Sequence, residues 1–535
     1  MTAAVLDIAA GPFGADPRAA QLAPPDKIDR RKLAVFGVMT FGMFMAILDI
    51  QIVAASLPQI QAGLAASAEQ ISWVQTAYLI AEVMVIPASG YLSRALSTRV
   101  IFALSAGGFT VASLGCAFAW NIESLIVLRA IQGFVGGAMI PVVFATAFSS
   151  FPRNRQAPIS AAIGLIVTLA PTIGPTVGGA ISEYLSWHWL FLVNIIPGAL
   201  IAITVWLYGD FDKPEPALIR RLDVRGFVFM AAAVGLAQYV LEEGPDEDWF
   251  DNPAITVFTI VAVVSLALFI RRTLTVANPI VDLNAYRNRN FLFGNLASLA
   301  MGAMLYGLVY ILPLFLARVR GFNSLQIGEA LFITGAAMFL SAPAAAMASR
   351  VIEPRIVAIF GVSLAAGSTY AMSFLTSEWG YWELFWPQVA RGAGLMLAMA
   401  PLNVISLGTL SPLQVRSASG LYNVMRNLGG AFGLAVINTA LTDRAAYHAR
   451  VLTDHLDPGR AIVAERIETL RTLFEARGAA DPAGAAMKTL SLIVEREATA
   501  LAFADTMRLI VVISVAAALF IALAAPPKAV AEGGH

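Results

Sequence analysis

The stretch LAPTIGPTVGGAIS, residues 169–182, lies inside a long apolar run yet carries Pro171, Gly174, Pro175, Gly178 and Gly179. Glycine and proline are the poorest helix formers in water. A bilayer changes that reading. There, small residues let helix backbones approach closely, and neighbouring groups take up the backbone polar atoms that proline frees. Gly174 and Gly178 form a GxxxG spacing, so the segment reads as a membrane helix with a packing face that can bend and slide against its neighbour. Simple close packing would account for the same residues, so the stretch fixes the environment before it fixes the task.

The composition agrees. Of 535 residues, 58% are hydrophobic and 13% charged, where a soluble domain has roughly 25% charged. Mean hydropathy is +0.73. The apolar residues fall in runs long enough to cross ~30 Å of hydrocarbon as helices. Fourteen spans are expected near 33–56, 70–93, 99–119, 122–148, 157–182, 188–208, 224–243, 253–272, 291–317, 325–349, 355–376, 381–408, 416–441 and 503–526. Read as re-entrant, 224–243 and 253–272 would leave twelve. Basic residues favour the larger number and set the orientation. Starting from the cytoplasm, the inner loops hold Arg94, Arg99, Arg153, Arg155, Lys213, Arg220, Arg221, Arg271, Arg272, Arg287, Arg289, Arg350 and Arg355. The short outer loops hold Glu69, Glu123, Glu183, the string EEGPDEDWFD (242–251), Glu378 and Glu383, with Arg318 and Arg320 as their basic residues. Both termini are therefore expected in the cytoplasm.

The organisation expected is a disordered cytoplasmic tail (1–32) without a cleavable signal peptide, a six-helix bundle (33–208) and two inserted helices with flanking loops (209–288). A second six-helix bundle (289–526) and a short cytoplasmic tail (527–535) follow. The long outer connection 442–502 carries apolar residues at helical spacing, as in AERIETLRTLFEAR (464–477), and reads as one or two amphipathic helices. As a solvated cap it would cover the outer mouth; the other reading is contact with a partner protein. An internal repeat supports two related halves. IPASGYLSRALSTRVI (86–101) aligns without a gap with APAAAMASRVIEPRIV (342–357), matching Pro87 to Pro343, Ser93–Arg94 to Ser349–Arg350 and Arg99 to Arg355. RAIQGFVGGAMIP (129–141) and ARGAGLMLAMAP (390–401) form a looser echo. Paired halves rocking about a midplane site are a common transporter plan.

Several segments, in order along nearly the whole membrane portion, resemble drug:proton antiporters of the major facilitator superfamily. Residues 169–182 look like the antiporter motif of the fifth span. LDIQIVAASLP (48–58) resembles the first-span motif of the fourteen-span branch, and LIVLRAIQGFVGGAMIP (125–141) the fourth-span motif. WHWLFLVNIIPG (187–198) resembles the start of the sixth span, and SGLYNVMRNLGGAFG (419–433) the thirteenth span of EmrB-like exporters. GYLSRALSTRVIF (90–102) takes the place of the cytoplasmic motif and supplies gate candidates Gly90, Arg94 and Arg99. It departs from the usual pattern: Arg94 stands where an aspartate is usual and Ser97 where a glycine is usual, so the carboxylate-based gate does not carry over. The group most similar is the EmrB/QacA multidrug-exporter type, with the EmrB side favoured. That resemblance implies an all-α polytopic fold of two six-helix bundles plus two central helices in a bacterial inner membrane. It also implies a periplasmic adaptor and an outer-membrane channel as partners.

Ionisable groups at membrane depth cost ~3 kcal/mol or more, which makes each a functional candidate. Asp49, Glu82 and Arg129 form the expected proton-coupling set; bracing of helix contacts is the competing role. Gln75, Tyr78 and Glu82 fall at i, i+3 and i+7, on one helix face, and Gln132 lies one turn after Arg129. With them, Tyr306, Tyr310, Arg391, Asn403 and Asn423 are candidates for a substrate cavity. Asn194, Gln238, Asn295 and Asn427 add polar groups, and Trp73, Phe332 and Trp386 further aromatics, while Arg426 reads as snorkelling to the cytoplasmic end. Other classes lack their signatures. No lysine follows a glycine, which excludes a P-loop, and His188, His448, His455 and His535 include no HExxH pair. Zero net charge gives no footprint for nucleic acid, and the lone Cys116 excludes an intrachain disulfide. The reading is a carrier rather than an enzyme, without cofactor or metal, using the proton gradient to export small amphipathic compounds. A dedicated exporter of one metabolite, such as a siderophore or lipid-like acid, is the alternative, and a transport-inactive scaffold or sensor is the alternative from another class.

Overall fold

The first helix begins inside the stretch expected to be a tail. Asp29 accepts a hydrogen bond from the Arg31 amide at 2.8 Å and caps α1, Arg30–Ala55. The computed structural model describes residues 29–276, 278–457 and 459–526, so the tail readings for 1–28 and 527–535 lie outside the described residues. Among the described residues every regular element is helical. Local chemistry sets many of the starts. Ser67 with Gln70, Asn323 with Gln326 and Ser411 with Gln414 close capping boxes, and Pro253, Pro354, Pro412 and Pro482 sit in first turns, where a missing N–H costs nothing.

The first half continues with α2 (Leu57–Leu64), α3 (Ala68–Val85), a 3₁₀ turn (Ile86–Ala88), α4 (Ser89–Leu96), α5 (Thr98–Ala117), α6 (Ile122–Gly136) and α7 (Met139–Ser150). Then come α8 (Arg153–Tyr184), α9 (Trp189–Leu192) and α10 (Ile195–Tyr208). Breaks at Pro87, near Ala138 and near Val193 split three of the six crossings into two helices each. The inserted pair is α11 (Val224–Glu243) and α12 (Pro253–Thr275); the second half starts with α13 (Arg289–Arg318), α14 (Ser324–Val351), α15 (Pro354–Met372) and α16 (Tyr381–Leu407). It ends with α17 (Pro412–Asp454), α18 (Ala461–Ala476) and α19 (Pro482–Leu523).

Thirteen helical segments of the described residues are long and apolar enough to cross a membrane. The remaining expected crossing, the thirteenth in chain order, lies in α17 and falls short because it is polar: Arg416, Asn423, Arg426, Asn427 and Asn438 lie within it. It packs along α13 all the same, deep in the second half.

The opening stretch behaves as its composition requires. α8 runs unbroken for 32 residues through Pro158, Pro171 and Pro175. Its Gly174 and Gly178 face α1, where a Cβ on Gly174 would run into Gln51 and one on Gly178 would lie 2.5 Å from the Ile52 carbonyl oxygen. The GxxxG spacing is thus the seam between the fifth and first spans. The halves meet where α8 packs against α14 and α16 and where α17 packs against α4 and α7. The first inserted helix, α11, lies against both α3 and α17.

The connection 442–502 is helical and continuous with the crossings on either side. α17 runs on to Asp454, α18 turns back, and α19 begins at Pro482 before entering the last crossing. At 1.5 Å per residue, the 43-residue α17 and 42-residue α19 are each roughly 63 Å long, about twice the hydrocarbon depth. Asp505 ties them, accepting from Arg444 at 2.6 Å and His448 at 2.9 Å. Leu470, Ala486 and Leu490 bury the seam between α18 and α19.

Candidate functional site

A cavity of about 650 Å³ lies between the halves, walled by α1, α2, α3, α7, α8, α11, α13, α14 and α17. Its inner part is lined by Ile47, Glu82, Ile140, Asn423 and Arg426. Its outer part is lined by Gln59, Glu183, Glu242, Ala317 and Asn438, at the end of the bundle that carries the acidic loops. The walls are mostly aliphatic and aromatic, with Tyr306 and Tyr310 among them. Such a site suits a greasy ligand steered by few polar groups.

Of the expected cavity residues, Gln75, Tyr306, Tyr310 and Asn423 line it, as do Glu82 and the motif residues Pro175 and Gly179. Tyr78, Gln132, Arg391 and Asn403 do not. Tyr78 is fully buried under the Arg129 guanidinium, 4.1 Å from its ring centroid. Asn403 sits behind the floor, accepting from the Tyr422 hydroxyl at 2.8 Å and from Arg426 at 3.1 Å. Arg426 does not snorkel. It is 4% exposed, packed over Tyr422 and Phe144, and forms the cavity floor. Arg391 is buried beside Pro171 in a small separate void; it donates to Thr334 at 2.7 Å, while its Nε and Nη1 have no partner among the described residues. Trp73, Phe332 and Trp386 turn outward, at 37%, 63% and 73% exposure.

The three expected coupling residues separate into two groups. Asp49 and Arg129 form a sealed ion pair, Nη1 to Oδ2 2.6 Å, with both side chains fully buried. Asn194 donates to the other Asp49 oxygen at 2.7 Å and Gln132 accepts from Arg129 at 2.8 Å, while Arg129 Nη2 has no partner. Glu82 is 2% exposed and lines the cavity, and its carboxylate accepts no hydrogen bond among the described residues. The pair is hydrogen-bonded except at Arg129 Nη2, and Glu82 stands outside it on the cavity wall.

Sequence reasoning overlooked other wall residues. Gln51, Glu183 and Glu242 line the cavity as well. Gln238 and Glu242 are i, i+4 on α11, joined by a 2.8 Å hydrogen bond; that spacing was the available signal, but Glu242 stands in an acidic string that reads as loop.

At the opposite, basic end the cavity is closed. A Cβ on Gly90 would lie 2.6 Å from the Arg416 carbonyl carbon, and one on Gly420 2.8 Å from the Ile86 carbonyl oxygen, so α4 and α17 touch backbone to backbone. Asp212, in the linker after α10, accepts from the Thr98 amide at 2.9 Å and hydroxyl at 2.8 Å, and pairs with Arg416 at 2.8 Å. A carboxylate therefore does join the halves here, supplied by a linker instead of the motif. Arg94 pairs with linker residue Glu215 at 3.7 Å and Arg99 lies over Trp206, while Gly90 meets the second half at the Arg416 backbone. Ser97 holds φ +83°, a backbone region that suits the glycine it replaces.

A bundle of paired helical halves around an amphipathic cavity open toward one face defines a membrane carrier. The chain belongs to the Major Facilitator Superfamily, whose profile matches residues 39–434. It is 40% identical over 90% of its length to "Colistin resistance protein EmrB" of Acinetobacter baumannii, covering 94% of that protein. It is 30% identical to "Fatty acid resistance protein FarB" of Neisseria gonorrhoeae, over 79% of this chain and 83% of that one. Among solved structures, the human organic anion transporter MFSD10 (TETRAN) superposes with a TM-score of 0.56 at 14% identity, covering 91% of this chain and 99% of that one. The last likeness shows the fold; the first two place the chain among EmrB-like efflux transporters of the drug:proton antiporter branch, not among enzymes.

Proposed function

We propose that this protein is a proton-driven antiporter that exports small amphipathic toxic compounds across the inner membrane by alternating access, with no cofactor beyond the proton gradient. One observation carries the reading: Glu82, 2% exposed and without a hydrogen bond, faces an amphipathic cavity of about 650 Å³. An unpaired carboxylate at that depth costs ~3 kcal/mol, which favours a group that takes up and gives back a proton over one kept for structure. In the conformation described, Glu82 loads from the acidic-loop side. When the basic end opens and the outer end closes, the proton leaves toward the cytoplasm and the carboxylate becomes available to incoming substrate. Arg129 Nη2 is a donor that can receive it in that state, while Asp49 holds the guanidinium in place. Each 100 mV of potential adds ~2.3 kcal/mol per charge moved.

The basic loops support a cytoplasmic position for both termini. The projecting α17–α19 hairpin supports contact with a periplasmic adaptor, and through it an outer-membrane channel. The name of the FarB relative supports a second reading, a dedicated exporter of a lipid-like acid, for which Arg426 on the cavity floor is the matching charge. Everted vesicles with a pH-sensitive dye test the main reading. Added substrate should discharge an acid-inside gradient with the wild-type chain and not with Glu82→Gln; equal discharge by both refutes it. A broad drug panel against fatty acids alone separates the two substrate readings.

A further inference from the structure

The wall shared by α3 and α11 carries hydrogen-bond acceptors that no described residue satisfies. Gln75 and Glu82 of α3 and Gln238 and Glu242 of α11 all line the cavity. The two helices are antiparallel and firmly joined: Met84 packs on Gly235, the Thr76 hydroxyl donates to Glu243 at 3.0 Å, and the Trp73 and Tyr239 rings lie 5.7 Å apart. That register sets Gln238 level with Glu82, and Glu242 about one turn further out, level with Gln75. The Gln238 amide nitrogen donates to Glu242, which fixes its orientation, because a flipped amide would set carbonyl against carboxylate. Its Oε1 is thereby left buried without a donor, in a side chain only 4% exposed. The Gln75 Oε1 is likewise buried and unpartnered among the described residues, none of which donates to Glu82, itself 2% exposed.

A buried acceptor without a donor is costly, and here two, Gln75 Oε1 and Gln238 Oε1, stand along one wall of the same cavity beside the Glu82 carboxylate. The charge points the same way. Glu82, Glu183 and Glu242 line the cavity against Arg426 as the one cation among the described lining residues, and Arg426 is engaged with Asn403 and Tyr422. What would satisfy this wall is a cation that also donates hydrogen bonds. We infer that α3 and α11 form a subsite for a protonated primary or secondary amine, with its N–H groups shared among Glu82, Gln238 and Glu242 and its apolar body against Tyr306 and Tyr310. The first inserted helix is then a specificity element and not a spacer between the halves. The inference rests on the export reading for its place in transport, but binding decides it.

Three probes share one dansyl fluorophore and alkyl chain and differ in the end group: a primary amine, a trimethylammonium without N–H, and a neutral hydroxyl. Each is titrated against the full-length protein in nanodiscs. The wild type should bind the amine about tenfold more tightly than the hydroxyl probe, with the trimethylammonium between them. Glu242→Gln and, separately, Gln238→Leu should erase most of the amine's advantage and leave hydroxyl binding within about twofold, while Glu242→Asp keeps part of it. Equal wild-type affinity for amine and hydroxyl overturns the subsite. So does an amine advantage unchanged in both variants, or equal loss of all three probes. If the amine is preferred but a pH gradient drives no probe across proteoliposomes, the export reading falls and the subsite stands.

Discussion

One methyl group at position 90 should shift the protein toward its other state. A Cβ there would lie 2.6 Å from the Arg416 carbonyl carbon and 2.9 Å from the Ser417 Cα, closer than real Cβ contacts allow. The obstacle is backbone, so no side chain can turn aside, and α4 must separate from α17 by about 1 Å. Overpacking of this kind costs ~1–3 kcal/mol. The same separation loosens the Asp212–Arg416 pair, now 2.8 Å, and the contact of Gly420 with Ile86. This seam exists in the conformation with the basic end closed, so the cost falls on that conformation, and 1–3 kcal/mol displaces the balance by roughly 5- to 150-fold. The native Cys116 is fully buried, which leaves a reporter free: Asn427→Cys, on the cavity wall. In Gly90→Ala, labelling of that cysteine by a membrane-impermeant maleimide should fall in right-side-out vesicles and rise in everted ones. Labelling unchanged from both sides in a folded Gly90→Ala protein would refute the reasoning.

Three other expectations concern stability, read as thermal unfolding in detergent. Asp49→Ala strands the buried Arg129 and should cost about 3–5 kcal/mol, much of it recovered in the double variant Asp49→Leu/Arg129→Leu; a loss under about 1 kcal/mol for the single change contradicts the sealed pair. Arg391→Met removes a buried charge whose Nε and Nη1 lack partners and should raise stability by ~1–3 kcal/mol; a fall would mean that Arg391 gains more from its contacts than its burial costs. Ser97→Gly relieves φ +83° and should gain ~1 kcal/mol, since the hydroxyl's cap on Val100 is a long 3.4 Å; a loss would show that the cap outweighs the backbone.

Much of the fold could be read from the residues, because span length, loop charge and the GxxxG spacing report on bilayer and packing directly. The span at 416–441 was legible as an apolar run, although a helix facing a polar cavity loses part of the hydropathy by which spans are found. The 442–502 connection is helical, as its spacing suggested, but its helices continue the flanking crossings. Apolarity falls away from Thr442 onward, but the Ala, Arg and Glu that follow are good helix formers, so α17 leaves the membrane without ending. Within the site, depth was legible and direction was not. Gln75 and Glu82 lie two turns apart on one stripe of α3, while Tyr78, at the edge of that stripe, turns to Arg129 on α6. Arg426 reads as a helix-end arginine until Tyr422, Asn403 and Phe144 are seen around it. Asp212 gave no sign, because its partners Thr98 and Arg416 come from helices that only the fold brings to the linker.

Coupling through Glu82 is tested most directly by comparing uphill transport with exchange for the purified chain in proteoliposomes. The wild type should concentrate substrate against its gradient when an opposing pH difference is imposed. Glu82→Gln should lose that accumulation and still swap labelled for unlabelled substrate at zero pH difference. Accumulation by Glu82→Gln equal to that of the wild type would contradict the account.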